Sequence, residues 1–210
     1  MNSTSLVLAG SWNQAIFTPP WVRTHFFDGR NLTVEASVGP DFILTFRQDT
    51  APFQLTVERS KVQVRPTDVS SDAMTAAEAS TIQVLELLSV TPITGVGINF
   101  GFRGEERDRG ALETLLAHEL PHLDQLGYSQ SSFSLTRTLM EATNQQDSPD
   151  RLNFTLVGDA TKCSALFNYH FPVENAEEAV GKLRGQVVPR YNAARRFVEL
   201  ACGIECDSKP

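Results

Sequence analysis

The chain has 210 residues, 41% of them hydrophobic and 20% charged, with a formal net charge of −7. That composition excludes a disordered chain and suits one globular domain, or two small ones packed closely together. An acidic chain has no general electrostatic pull on nucleic acid or on anionic membranes, although it can still carry a local basic patch.

Taken in order, Met1 to Gly10 lacks the positive n-region of a signal peptide, and no stretch approaches the ~18 apolar residues of a membrane span. The expectation is a cytoplasmic protein with no membrane and no nucleic acid among its partners. Leu6 to Ala9 reads as a short strand. Pro19-Pro20 interrupts the chain before Trp21 to Phe27, which also reads as strand. Leu32 to Val38 alternates apolar with polar residues, Gly39-Pro40-Asp41 is a turn, and Phe42 to Phe46 is a further strand. Phe53, Leu55 and Val57 alternate with Gln54, Thr56 and Glu58, and Val62 and Val64 follow after a tight connection. The period of two and the turn residues predict a meander of antiparallel strands.

The period then changes. Ser71-Asp72 offers a helix N-cap, Thr75 and Glu78 have capping-box spacing, and Ala79, Ile82 and Leu85 keep helical spacing up to a stop before Pro92. Ile93 to Phe102 reads as a buried strand. Its glycines, Gly95, Gly97 and Gly101, lie inside the strand and not between a strand and a helix, so they predict a bulge or close packing under a helix, not a phosphate loop. A charged loop over 104–109 leads to a helix ending near Gly127. Phe133 to Leu139 is a strand, and Leu152 to Val157 and Cys163 to Phe171 form a hairpin. A last long helix runs from about Asn175 to Ala201, with Val180, Leu183, Val187, Tyr191, Ala194 and Val198 inside one broad apolar arc. Pro189 is expected to bend it. Arg190 projects into the apolar arc, which predicts either displacement by that bend or pairing with a carboxylate.

The one stretch that could name a reaction is His118-Glu119-Leu120-Pro121-His122. In an H-E-x-x-H motif two imidazoles one helical turn apart bind zinc and the glutamate is the general base. Glu141 is the available third ligand. Pro121 opposes this reading. Inside a helix it lacks the N–H for the i→i−4 bond and its ring meets the carbonyl of Ala117, at a cost of roughly 3 kcal/mol. Leu112, Leu115, Leu116, Leu120, Leu123 and Leu126 form a stripe that makes the same stretch an ordinary amphipathic helix. Cys163, Cys202 and Cys206 are an odd count. They predict incidental thiols in a reducing compartment, with a redox or metal role for Cys202 and Cys206 as the alternative.

These patterns predict a single α+β domain over 1–210, an antiparallel sheet meander with about three helices packed on one face. Phe42 to Leu88 and Phe133 to Ala201 both run strand, strand, strand, helix. This order suggests two similar βββα halves, about 1–104 and 105–210. The expected function is a non-enzymatic protein-binding or assembly module with no cofactor, its partner a protein or a second copy of itself. Trp12, Phe17, Trp21, Phe26 and Phe27 crowd the proline-interrupted N-terminal segment and are the expected interface. The alternative is a zinc-dependent hydrolase using His118, Glu119, His122 and Glu141. Because Pro121 breaks the motif, Glu119→Gln is expected to leave metal content and any activity unchanged. Loss of a hydrolytic activity from a folded variant would establish the alternative.

Overall fold

The computed structural model describes residues 2–27, 31–104, 132–140, 151–159 and 163–202. The His118–His122 motif, Glu141, the leucine-stripe helix and Cys206 lie outside the described residues. The fold is α+β. In chain order the strands are β1 (Ser3–Gly10), β2 (Thr33–Val38), β3 (Phe42–Arg47), β4 (Phe53–Val57), β5 (Lys61–Pro66), β6 (Ile93–Gly104), β7 (Ser132–Met140), β8 (Arg151–Asp159) and β9 (Cys163–Pro172). The described helices are α1 (Pro19–Phe26), α2 (Ser71–Leu87), α3 (Ala176–Leu183) and α4 (Val187–Phe197), the last continued by a π-helical turn at Val198–Cys202.

All nine strands join one sheet in the order β2-β3-β4-β5-β1-β6-β9-β8-β7, every neighbouring pair antiparallel. Read outward from the β1–β6 pair, the two sides follow one plan. The first strand of each set lies at the centre and a three-strand meander lies outside it, closed by α2 on one side and by α3 and α4 on the other. In this order β2 is an additional strand at one edge.

Helices cover one face of the sheet. Alternation aims Leu6, Leu8, Val62, Val64, Ile98, Phe100, Phe102, Phe167 and Phe171 at that side, all of them buried. Facing them are mostly small side chains, Ala73, Ala77, Ala179 and Ala194, with Met74, Leu85 and Leu183 filling between. Large strand residues against small helix residues let the two layers approach closely and pack at the density of an organic crystal. Tyr191 of α4 is stacked on Phe102 with ring centroids 5.5 Å apart and lies edge-on to Phe100 at 5.5 Å.

Three local readings of the sequence are corrected. Trp21 to Phe26 is helical. Thr18 caps α1 by accepting a hydrogen bond from the Trp21 N–H at 3.4 Å. Pro19 and Pro20 occupy the first helical turn, where the missing N–H groups have no partner to lose, so they start the element they were expected to break. The α2 cap is Ser70, whose hydroxyl accepts from the Ala73 N–H at 3.2 Å, one residue earlier than expected. Glu78 closes no capping box. Its carboxylate accepts from the backbone N–H groups of Gly185 at 2.6 Å and Val187 at 2.9 Å, charge-assisted bonds that tie α2 to the start of α4.

The long C-terminal helix is in fact two. The chain leaves helical geometry at Arg184 to Gln186, with Gly185 at φ +72°, a conformation glycine adopts without steric cost. Pro189 therefore sits in the first turn of α4 and bends nothing. Arg190 enters the apolar layer by stacking: its guanidinium lies 4.9 Å from the Tyr169 ring centre and 4.8 Å from that of Phe171, a cation–π arrangement.

Deleting α3 and α4 by truncation before Asn175 is expected to give insoluble protein, since it uncovers Phe100, Phe102 and Phe171. Phe167→Ala, at a site 1% exposed, is expected to cost about 3–5 kcal/mol in chemical denaturation. A soluble truncation with a cooperative melt would show that the helices are an appendage.

Candidate functional site

The face of the sheet opposite the helices has a different chemistry. The same alternation that buries the apolar side chains points Ser3 and Ser5 of β1, Gln63 and Arg65 of β5, Asn168 and His170 of β9, and Asn153 and Thr155 of β8 the other way. On β6 the open side reads Gly95, Gly97, Asn99, Gly101, Arg103. The glycines thus face away from the helices, which corrects the expectation of close packing beneath one. They leave a trough along the central strand into which neighbours lean. A Cβ at Gly101 would stand 2.6 Å from the Ser3 Oγ, and one at Gly95 would stand 3.1 Å from the His170 ring.

Register turns these residues into rows. Asn99 pairs with Ser5 on one side and Asn168 on the other, Asn168 with Asn153, and Asn153 with Thr138. Five hydrogen-bonding side chains therefore cross five adjacent strands in line, about 19 Å at the usual strand spacing. The row is tied at both ends. Asn99 Nδ2 donates to Ser5 Oγ at 3.4 Å and Thr138 Oγ1 donates to Asn153 Oδ1 at 3.0 Å. A parallel row runs Ser3, Gly101, Leu166, Thr155, Thr136, with the two threonine hydroxyls 3.2 Å apart. Together with Arg65 the row residues of β1, β6, β9 and β8 line a hollow of about 510 Å³.

The electrostatics of this face differ from those of the whole chain. Among its described strand side chains, Arg47, Lys61, Arg65, Arg103 and Arg151 are basic and Glu35 alone is acidic. Arg47 is held by Glu35 at 2.6 Å and Lys61 by Glu58 at 3.2 Å. Arg65, Arg103 and Arg151 form no ion pair with a described carboxylate. Every described aromatic ring of phenylalanine or tyrosine in the strands lies on the helix side.

The five expected interface residues do not form one exposed patch. Trp12, Phe17 and Phe27 are buried in this chain's own core: the Trp12 indole N–H donates to the Leu8 carbonyl at 3.1 Å, and Phe27 stacks on Phe53 at 5.3 Å. Trp21 and Phe26 are half-buried, beside His25. They pack where α1 folds over, because α1 is a helix and not an edge strand. Of the histidines, His25 and His170 are described and stand on different elements. Among the described residues no three His, Cys, Asp or Glu side chains come together as a metal site would require.

Cys202 and Cys163 are both buried. Burial, and secondarily the neighbouring Cys163, push the Cys202 thiol up to about 11. A thiol held protonated is a poor nucleophile and a poor metal ligand. The open-face residues went unread in the sequence, although one signal was present: Gly95, Gly97, Asn99 and Gly101 recur every second residue, which places them on a single side of a strand. Comparison with known proteins finds no family model and no curated protein that matches this chain.

The raised Cys202 pKa fixes a pH dependence. The unfolded thiol ionises near its ordinary 9.0 while the folded one holds its proton up to about 11. The stability this proton linkage supplies is therefore complete below pH 9 and is lost as pH rises towards 11. Thermal melts over that window should fall more steeply for the wild type than for Cys202→Ala. Equal slopes would show that burial does not shift the thiol.

Proposed function

We propose that this protein is a non-enzymatic binding or assembly module that works through the open face of its sheet. One observation carries the reading: one face is covered by helices, and the other holds aligned rows of amides, hydroxyls and guanidinium groups around a hollow. Amides and hydroxyls hold a ligand by hydrogen bonds and do not change charge near neutral pH, so they position without transferring protons. The row residues stand outside the core, so they are free to be selected for contact and not for packing. The triple variant Asn99→Ala, Asn153→Ala, Asn168→Ala should keep the melting temperature of the wild type within a few degrees. It should lose whatever co-purifies with the tagged wild type from the native cell at low salt. Equal recovery with both proteins would remove the open face as the working surface.

A second surface favours assembly with a protein, and the occupant proposed for it is a second copy of this chain. All six residues of edge strand β2 are exposed. Val38, 86% exposed, pairs with Phe42, 45% exposed, in an apolar strip. An exposed edge with apolar side chains is a template for strand addition. Light scattering at rising concentration should report a mass above the monomer, and Val38→Lys should return it to the monomer. A wild type that stays monomeric throughout would refute edge pairing.

A further inference from the structure

We infer that the ligand of the open face is a nucleic-acid duplex, with Arg65, Arg103 and Arg151 on its phosphates and the asparagine row against the sugar–phosphate backbone between them. The inference rests on the reading of the open face as a binding surface and specifies its partner. The net charge of −7 gives the chain no general attraction for polyanions, yet the charges are sorted. Among the described strand side chains the open face gathers five basic groups, and two of them are held by carboxylates, Arg47 by Glu35 and Lys61 by Glu58, while the other three form no ion pair with a described carboxylate. Arginine at such a position is a bidentate donor to phosphate oxygens.

The arrangement suits a ligand with phosphates on two sides and hydrogen-bonding groups between them. Arg65 on β5 and Arg151 on β8 lie on opposite sides of the Asn99–Asn168 pair, four strand steps apart, or about 19 Å. The amides lie between them. An asparagine side chain both donates and accepts, so it can hydrogen-bond the sugar and phosphate oxygens that lie between the arginines. The glycines of β6 lower the floor of the face, and a ligand can approach the backbone there. Recognition of this kind is sequence-tolerant, because contacts to phosphate and sugar fix orientation and carry no sequence information.

Two other occupants fit less well. Single-stranded nucleic acid is held by stacking bases on aromatic rings, and the described phenylalanine and tyrosine rings of the strands point to the helix side. A protein partner needs apolar or aromatic anchors at the centre of the patch, and the centre here is Ser5, Asn99 and Asn168, with Leu166 beside them. The expectation of no nucleic-acid partner followed from total charge, which does not register where the charges lie.

The test uses the full-length protein and a fluorescently labelled DNA duplex of about 20 base pairs, read by anisotropy near 50 mM salt. The wild type should bind the duplex more tightly than either separated strand. Arg65→Glu with Arg151→Glu should weaken binding tenfold or more and reduce the slope of log affinity against log salt by about 2, one for each phosphate left without its arginine. Both arginines are exposed, so the melting temperature should hold. Arg23→Glu, on the exposed side of α1, should bind as the wild type does. Duplex binding that ignores the Arg65 and Arg151 changes would overturn the assignment. Binding of a polyglutamate chain instead of DNA, abolished by the same changes, would keep the open face as a binding surface and overturn the nucleic acid. Binding of neither would overturn both readings.

Discussion

The antiparallel pairing of β1 with β6 is the contact on which the rest of the molecule depends. It runs from Ser3 opposite Gly101 to Gly10 opposite Ile93, and it is the only place where the two strand sets of the described sheet join. Without it each set would present a central strand with one unpaired edge, along which Leu6 and Leu8, or Ile98 and Phe100, would lose their neighbours. The close fit at the end of the pair is specific. A Cβ on Gly10 would stand 2.4 Å from the Pro92 carbonyl oxygen, so the chain can turn there only with glycine. The Glu78 carboxylate makes a second join on the helix side, holding the start of α4 against α2, and the two sets meet in both layers.

The described helices cover one side of the sheet, and the strand residues divide largely by parity, with Val7 and Leu166 among the apolar side chains on the other side. The consequence reaches from packing to chemistry. Because the described phenylalanine and tyrosine rings of the strands are committed to the helix layer, the other side is built mostly from groups that water or a polar ligand can satisfy. Arg190 tests the rule: it is a cation on the buried side, and it is accommodated by the faces of Tyr169 and Phe171. The arginines of the opposite side have no such rings, and their charge is presented outward.

Most of the fold was legible in the sequence wherever one residue's pattern is decided by its own chain neighbours. Alternation at Phe53 to Val57 and at Val62 to Val64 marks β4 and β5, and the hairpin of β8 and β9 follows from two such runs. The errors have local causes. Pro19-Pro20 can end a strand or begin a helix, and the Thr18 cap decides it. The apolar arc from Val180 to Val198 continues across Gly185, so periodicity alone does not reveal the break. The candidate site was illegible for a different reason. Asn99, Asn153 and Asn168 are neighbours through strand register, and no property of the linear chain states that the three stand in one row.

The place of β6 in the order has a consequence for synthesis. Its partner on one side, β1, precedes it on the chain, while the other, β9, is made some 60 residues after β6 ends. At about 5–20 residues per second the ribosome leaves that edge without its strand for roughly 3–12 s. During this interval Phe100 and Phe102 have neither β9 beside them nor Tyr191 above them. The three glycines and Asn99 that share the strand lower its tendency to pair with the wrong chain in that time. The residues that open the trough in the finished protein therefore also act on the ribosome, where they protect an edge that waits for its partner.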